Sequence, residues 1–234
     1  MARINKSLLT KLEIIQEATK RFLEHGYTET TVSAISKALG MSTGNLTFYY
    51  PTKEHLLAVL VDMLCDFQWK MMEQEANEGY SSVMAICLEL MAMASMCETD
   101  EIARDFYISA YQSVMSLEKI RMNDKHRAKQ VFAQYCGDWT DEQYDEAEIL
   151  VSGIEYATLM TTTDSPQLDV RIAGALELIL RIYNVPEELR EMKIKRVLDM
   201  DYQGVGRRVL AEFKEFVRQT NYNAMEQLIG IHAR

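Results

Sequence analysis

The chain has 234 residues, with 25 Lys plus Arg against 35 Asp plus Glu and a formal net charge of −10. Taken over the whole surface, that charge argues against a polyanion as partner. Its 48 % hydrophobic and 26 % charged residues are the proportions of a folded chain, and ten Gly with three Pro supply too few turns for an all-β fold.

In chain order the pattern is helical almost throughout. Leu8, Leu12, Ile15, Ala18 and Phe22 follow a 3.6-residue period, and Gly26 ends that helix. Thr31 is placed to cap a short second helix that turns Val32, Ile35 and Leu39 inward and stops at Gly40. Ser42 caps a third short helix from Thr43 to Tyr50, which Pro51 terminates because the residue before a proline avoids the α region. Thr52 precedes a long fourth helix over 53–77. Further helices are expected at about 81–97, 101–118, 120–136, 141–163, 168–184, 187–200, 204–219 and 221–231, broken at Asp100, Gly137-Asp138, Asp164-Ser165-Pro166 and Asn184-Val185-Pro186. The fold class is therefore all-α.

The N-terminal run is polar and basic with no apolar core of a signal peptide, and the stretch 83–96 is too short to span a bilayer and carries Glu89. A soluble cytoplasmic protein with no membrane contact is expected. Cys65, Cys87, Cys97 and Cys136 form no CxxC and have no His at zinc-finger spacing, so they read as free thiols, with a redox or metal sensor as the sharper alternative. There is no GxSxG, HExxH or P-loop pattern, and Gly204-Val205-Gly206 follows no strand; neither an enzyme nor a bound cofactor or metal is expected.

Thr30 to Glu54 is the informative segment. A short helix, a turn at Gly40-Met41-Ser42 and a second short helix make a helix-turn-helix, whose second helix enters the DNA major groove. Asn45 can pair bidentately with adenine, Thr43 and Thr47 can reach base edges or phosphates, and Phe48 can touch a thymine methyl; Gly44 lets the backbone approach closely. Leu46 and Tyr50 are the inward residues. Lys53 stands at a helix N-terminus, where the macrodipole disfavours a cation, so a phosphate contact is expected there; an exposed lysine without a role is the alternative. Thr31 can both cap and meet a phosphate.

The run from Ile14 to Leu57 resembles the N-terminal domain of TetR-family transcriptional regulators. The resemblance is carried by Ile14, Ala18, Phe22, Gly26-Tyr27, Thr30-Thr31-Val32, Ile35, Gly40-Met41-Ser42, Gly44, Leu46, Tyr49-Tyr50, Lys53-Glu54 and Leu56. It implies an all-helical homodimer in which residues 1–52 bind a double-stranded DNA operator and 53–234 bind a small-molecule effector and the second subunit. Its usual activity is repression of a palindromic operator, relieved by the ligand. It adds Ser33 and Tyr49 to the candidate DNA contacts; Thr47 stands where most members have Tyr, and the third helix carries no Lys or Arg. Non-specific attraction would then come from Arg3, Lys6, Lys11, Lys37 and Lys53.

Residues 81–234 hold no motif. Met91, Phe106, Tyr107, Tyr111 and Tyr156 are candidates for a largely apolar pocket with a few hydroxyls, although ordinary core packing explains any one of them as well. Gly153, Ala157, Gly174 and Ala175 make the expected helices 141–163 and 168–184 candidates for the dimer interface, with the last fifty residues as an alternative or as a cover for the pocket. A thiol-responsive regulator on the same scaffold and a helical interaction protein without DNA binding are the other function classes. The charge is unevenly placed: residues 1–55 hold seven basic and five acidic side chains, and the remainder 18 and 30.

Overall fold

The computed structural model describes residues 6–77 and 82–220. Eleven helices occupy them and no strand is present among the described residues: α1 (Lys6–His25), α2 (Val32–Ala38), α3 (Thr43–Tyr49), α4 (Lys53–Ala76), α5 (Val83–Thr99), α6 (Glu101–Gln112), α7 (Val114–Val131), α8 (Asp141–Leu159), α9 (Leu168–Ile182), α10 (Glu187–Leu198) and α11 (Tyr202–Gln219). The expected helix at 221–231 lies outside the described residues, as does Arg3.

Local signals explain most boundaries. Thr31 accepts from the Ala34 amide and Ser42 from the Asn45 amide, so α2 and α3 each begin on a hydroxyl cap. α2 ends in a Schellman turn, with Met41 N–H on the Ser36 carbonyl at 3.0 Å, Gly40 N–H on that of Lys37 at 3.1 Å, and Gly40 at φ +66°. The helices expected to end at 136 and 163 stop at Val131 and Leu159, and the largest difference from the sequence reading lies between α6 and α7. The break expected near residue 119 falls at Ser113, whose hydroxyl accepts from the Ser116 amide and starts α7. A serine in the middle of an apolar run gave no warning, because its side chain is also compatible with a helix interior.

α5 forms the centre of the body. It is buried nearly all round, as its largely apolar sequence requires, and packs against α4, α6, α8, α9, α10 and α11. α11 lays Val205, Val209, Phe213 and Val217 against this core. Gly206 permits the approach, since a Cβ there would stand 2.6 Å from the Ala92 carbonyl oxygen. The last helices therefore back the body and reach α1, leaving one face of α8 and α9 uncovered. On that face Ile149, Leu150, Val170 and Leu178 are each more than half exposed, and Gly153 and Gly174 open onto free space. Ala175, grouped with them on sequence, is instead 6 % exposed and belongs to the core.

Candidate functional site

The helix-turn-helix presents a sharply divided α3. Leu46 is fully buried and Tyr50 is 6 % exposed, whereas Thr43, Gly44, Asn45 and Phe48 face solvent. Phe48 has 79 % of its surface exposed, although it is a large apolar residue in an ordered helix. Thr47 and Tyr49 are half-buried; Thr47 Oγ1 donates to the Gly44 carbonyl at 3.2 Å, and the Tyr49 ring meets that of Phe48 edge-on at 5.2 Å. Thr31 and Ser33 are exposed at the start of α2, and Ser36 Oγ lies 3.3 Å from Thr43 Oγ1, joining the two helices across the turn.

Lys53 is placed differently from the sequence expectation. Its ammonium donates to the carbonyls of Tyr27 at 2.8 Å, Thr30 at 2.9 Å and Thr28 at 3.4 Å, and lies 4.1 Å from the centre of the Tyr27 ring. Partial burial draws its pKa down, against the opposing pull of Asp105 and Glu29. All its donors are directed at protein, so the lysine is a clasp holding the α1–α2 turn on α4. That role explains a cation at a helix start without a phosphate. The Tyr27 hydroxyl is pushed up to about 12, first by burial and then by Glu54 and Asp105.

Among the described residues, side chains of α6, α1 and α11 tie this head to the body besides the run of α4. Asp105 of α6 accepts from the Thr28 amide at 2.8 Å and from the Thr28 hydroxyl. Gly26 sits under the same carboxylate at φ +88°, where a Cβ would be 2.9 Å from Oδ2. Gln16 of α1 donates to the carbonyls of Val217, Arg218 and Thr220 at the end of α11, and Lys214 pairs with Glu24.

The body holds a cavity of about 70 Å³ bounded by α4 to α9. Phe106, Tyr107 and Tyr111 line it as expected. Met91 and Tyr156 do not. On α5 the lining stripe is Ile86, Glu89, Leu90 and Met93, so Met91 is turned about 100° away into the core. On α8 it is Glu148, Val151 and Glu155, and Tyr156 stands just past that stripe, accepting from Gln112 at 2.9 Å.

The wall is less apolar than the sequence suggested. Glu89, Asp124, Arg127, Glu148 and Glu155 all belong to it. Arg127 lies 3.2 Å from Asp124 and 3.6 Å from Glu89, donates to the Cys65 carbonyl, and covers the Trp69 ring at 5.2 Å. Glu155 accepts from Tyr111 at 3.0 Å and Glu148 from Tyr183; Trp139 packs on that tyrosine with ring centres 5.9 Å apart. Burial pushes every one of these carboxyls up: Asp124 to about 6, Glu89 to about 7, Glu148 to about 8, and Glu155 well above its ordinary value. Sequence reading missed this group. Its available signal was acidic residues at core spacing, with Glu89 inside an apolar run and Glu148 seven residues from Glu155.

Three of the four thiols are poorly set for redox chemistry. Burial raises the pKa of Cys65 strongly, of Cys97 to about 12 and of Cys136 to about 11, so reactive thiolate is scarce at neutral pH. Among the described residues no cluster of His, Cys, Asp or Glu is arranged to hold a metal ion, and no helix is long and apolar enough to cross a membrane.

A three-helix head bearing a helix-turn-helix, fused to a helical body with an internal cavity, defines the class of one-chain, cavity-bearing helix-turn-helix proteins. Residues 14–60 match the family of bacterial regulatory proteins described as the tetR family. The HTH-type transcriptional regulator HbdR of Aromatoleum sp. (strain CIB) is 28 % identical over 109 residues, which are 47 % of this chain and 46 % of HbdR. The match thus spans about half the length of that relative. The crystal structure of RolR without ligand superposes with a TM-score of 0.59 at 18 % identity, covering 79 % of this chain and 96 % of RolR. A gamma-butyrolactone receptor (ArpA-like protein) aligns more loosely, with a TM-score of 0.43 at 20 % identity over 88 % of this chain and 99 % of its own. The family match thus covers the three-helix head and the start of α4, and the fold of the whole is similar to that of RolR.

Proposed function

We propose that the protein binds a two-fold symmetric DNA site as a homodimer and leaves that site when a small molecule fills the cavity, acting as a ligand-released repressor in the cytoplasm. The outward face of α3 carries this reading. Thr43, Gly44, Asn45 and Phe48 are exposed while their neighbours Leu46 and Tyr50 are buried. Such a face offers an adenine-pairing amide, a hydroxyl and an apolar ring to the major groove, with Thr47 and Tyr49 at its flank and Thr31 and Ser33 toward the backbone. Lys53 contributes charge and holds the head in shape.

Residues 1–52 act in this reading as the DNA-binding unit and 53–234 as the effector and dimer unit. The uncovered apolar face of α8 and α9 supports pairing of two copies through a four-helix interface, which would set the reading helices about one turn of DNA apart or a multiple of it. The effector acts by preferring the arrangement that does not fit DNA. Weakening operator binding about 100-fold requires about 2.7 kcal/mol of coupling.

The test is fluorescence anisotropy of the full chain on palindromic DNA from upstream of its own gene. Binding is expected, with Asn45→Ala abolishing it while leaving the circular dichroism melt unchanged. A protein that is dimeric and folded but ignores every such site, or an Asn45→Ala variant that binds as well as the parent, would refute the proposal.

A further inference from the structure

The cavity wall has spent its donors. Tyr107 donates to Gln68 at 2.8 Å, Tyr111 to Glu155 and Tyr183 to Glu148. The guanidinium of Arg127 faces Glu89, Asp124 and a backbone carbonyl. Acceptor capacity is what remains. Glu148 Oε2 is buried without a hydrogen-bond partner, in a residue 2 % exposed. Once the carboxyls of this wall ionise, a ligand that brings only acceptors or a negative charge finds no donor there.

The charges are also unequally compensated. Glu89 and Asp124 share Arg127, whereas Glu148 and Glu155 have one tyrosine each and no salt-bridge partner among the described residues. Seven residues apart on α8, these two carboxyls lie on one side of the helix and both line the cavity. The carboxyls are not gathered at metal-ligand spacing, which disfavours a bare divalent ion. Around them stand Phe106, Ile120, Phe132 and Val151, apolar or aromatic surface suited to the body of an organic cation.

We propose that the effector is a protonated amine on an apolar body, its ammonium taken by Glu148 and Glu155. The proposal rests on the cavity being the effector site and names the chemistry that fills it. A cation entering this wall stabilises the carboxylates, so each carboxyl that was protonated gives its proton to solvent while the amine keeps its own. Binding is therefore coupled to proton release, and affinity rises with pH. The titratable and charged groups facing the pair are Cys65 on α4, Glu89 on α5, Tyr107 and Tyr111 on α6, Arg121, Asp124 and Arg127 on α7, and Tyr183 after α9.

Calorimetric titration with 4-phenylbutylamine, 4-phenylbutanol and 4-phenylbutanoate, matched in ring and chain, tests this. At pH 8 the amine should bind at least tenfold tighter than the alcohol, and the anion should not bind. The amine should gain affinity from pH 6 to pH 8 and release protons, measured as a dependence of the heat on buffer ionisation. Glu148→Gln and Glu155→Gln should each cost the amine at least tenfold without affecting the alcohol. Alcohol or anion binding as tightly as the amine, a flat pH profile, or failure of all three probes would overturn the proposal. Should a variant not fold, the probe series on the unaltered protein still decides. Amine binding that leaves operator affinity unchanged would refute the effector reading and spare the cation site; an alcohol that binds and releases the operator would do the reverse.

Discussion

Phe48 holds most of its ring in water, at a cost that packing does not repay. Phe48→Ala should leave thermal stability unchanged and weaken operator binding, a separation that melting curves and anisotropy measure together. Lys53→Ala should do the opposite of a lost phosphate contact. With three carbonyls stripped of their donor, stability falls by about 1–2 kcal/mol, and the midpoint of urea unfolding drops before any DNA is added. Glu148 gives a third test. Its folded pKa, about 8, lies above that of a carboxyl in the unfolded chain. Its contribution is therefore complete below the unfolded value and is lost as pH rises through the folded one. The unliganded protein should melt lower at pH 8.5 than at pH 6. Glu148→Gln, which keeps the acceptor for Tyr183 and removes the charge, should flatten that dependence. A gain on the order of 1 kcal/mol at the higher pH would raise Tm by about 2–4 °C.

At the scale of elements, α6 touches both sites, as α4 does. Phe106 lines the cavity while Asp105, the preceding residue, grips the turn between α1 and α2. A ligand that displaces Phe106 or Tyr107 moves a helix whose start is fastened to the DNA-binding head. Asp105→Ala should therefore leave ligand affinity nearly intact and reduce the ligand's effect on operator binding, read as the ratio of operator Kd with and without the amine. Much of this layout is legible in the sequence, because caps and glycines announce themselves: Thr31, Gly40 and Ser42 place α2 and α3 almost to the residue. The Asp105 tie is not legible, since an acidic residue on a helix with no anomalous spacing says nothing about a loop 77 positions earlier. The cavity lining was half legible. Phe106, Tyr107 and Tyr111 follow helical spacing on an apolar face, whereas the soft side chain of Met91 says nothing of its direction, and one residue's rotation turns it from the wall. The buried carboxyls were passed over because Glu in a helix ordinarily means solvent.

For the whole molecule, the charge total hides a division of labour. The head is mildly basic and the body acidic, so DNA attracts one end and repels the other. With no Lys or Arg on α3 and with the Lys53 ammonium turned inward, few phosphates are neutralised. The log–log dependence of operator affinity on salt should accordingly be shallow, its slope counting those contacts. Dimerisation is tested at the same scale. Leu150→Glu or Leu178→Glu puts a charge on the uncovered face of α8 and α9, where each leucine is more than half exposed. Sedimentation should shift to monomer with helicity retained, and operator affinity should collapse with it.

The two tryptophans give the molecule a built-in reporter. Trp69 lies under Arg127 and Trp139 against Tyr183, so both indoles neighbour the wall of the cavity, and the head contains none. Intrinsic emission should thus respond to what enters the body and stay dark to events at the DNA surface. Occupancy and operator release can then be timed in a single stopped-flow trace, indole emission against a labelled duplex, and the order of the two signals shows which event leads.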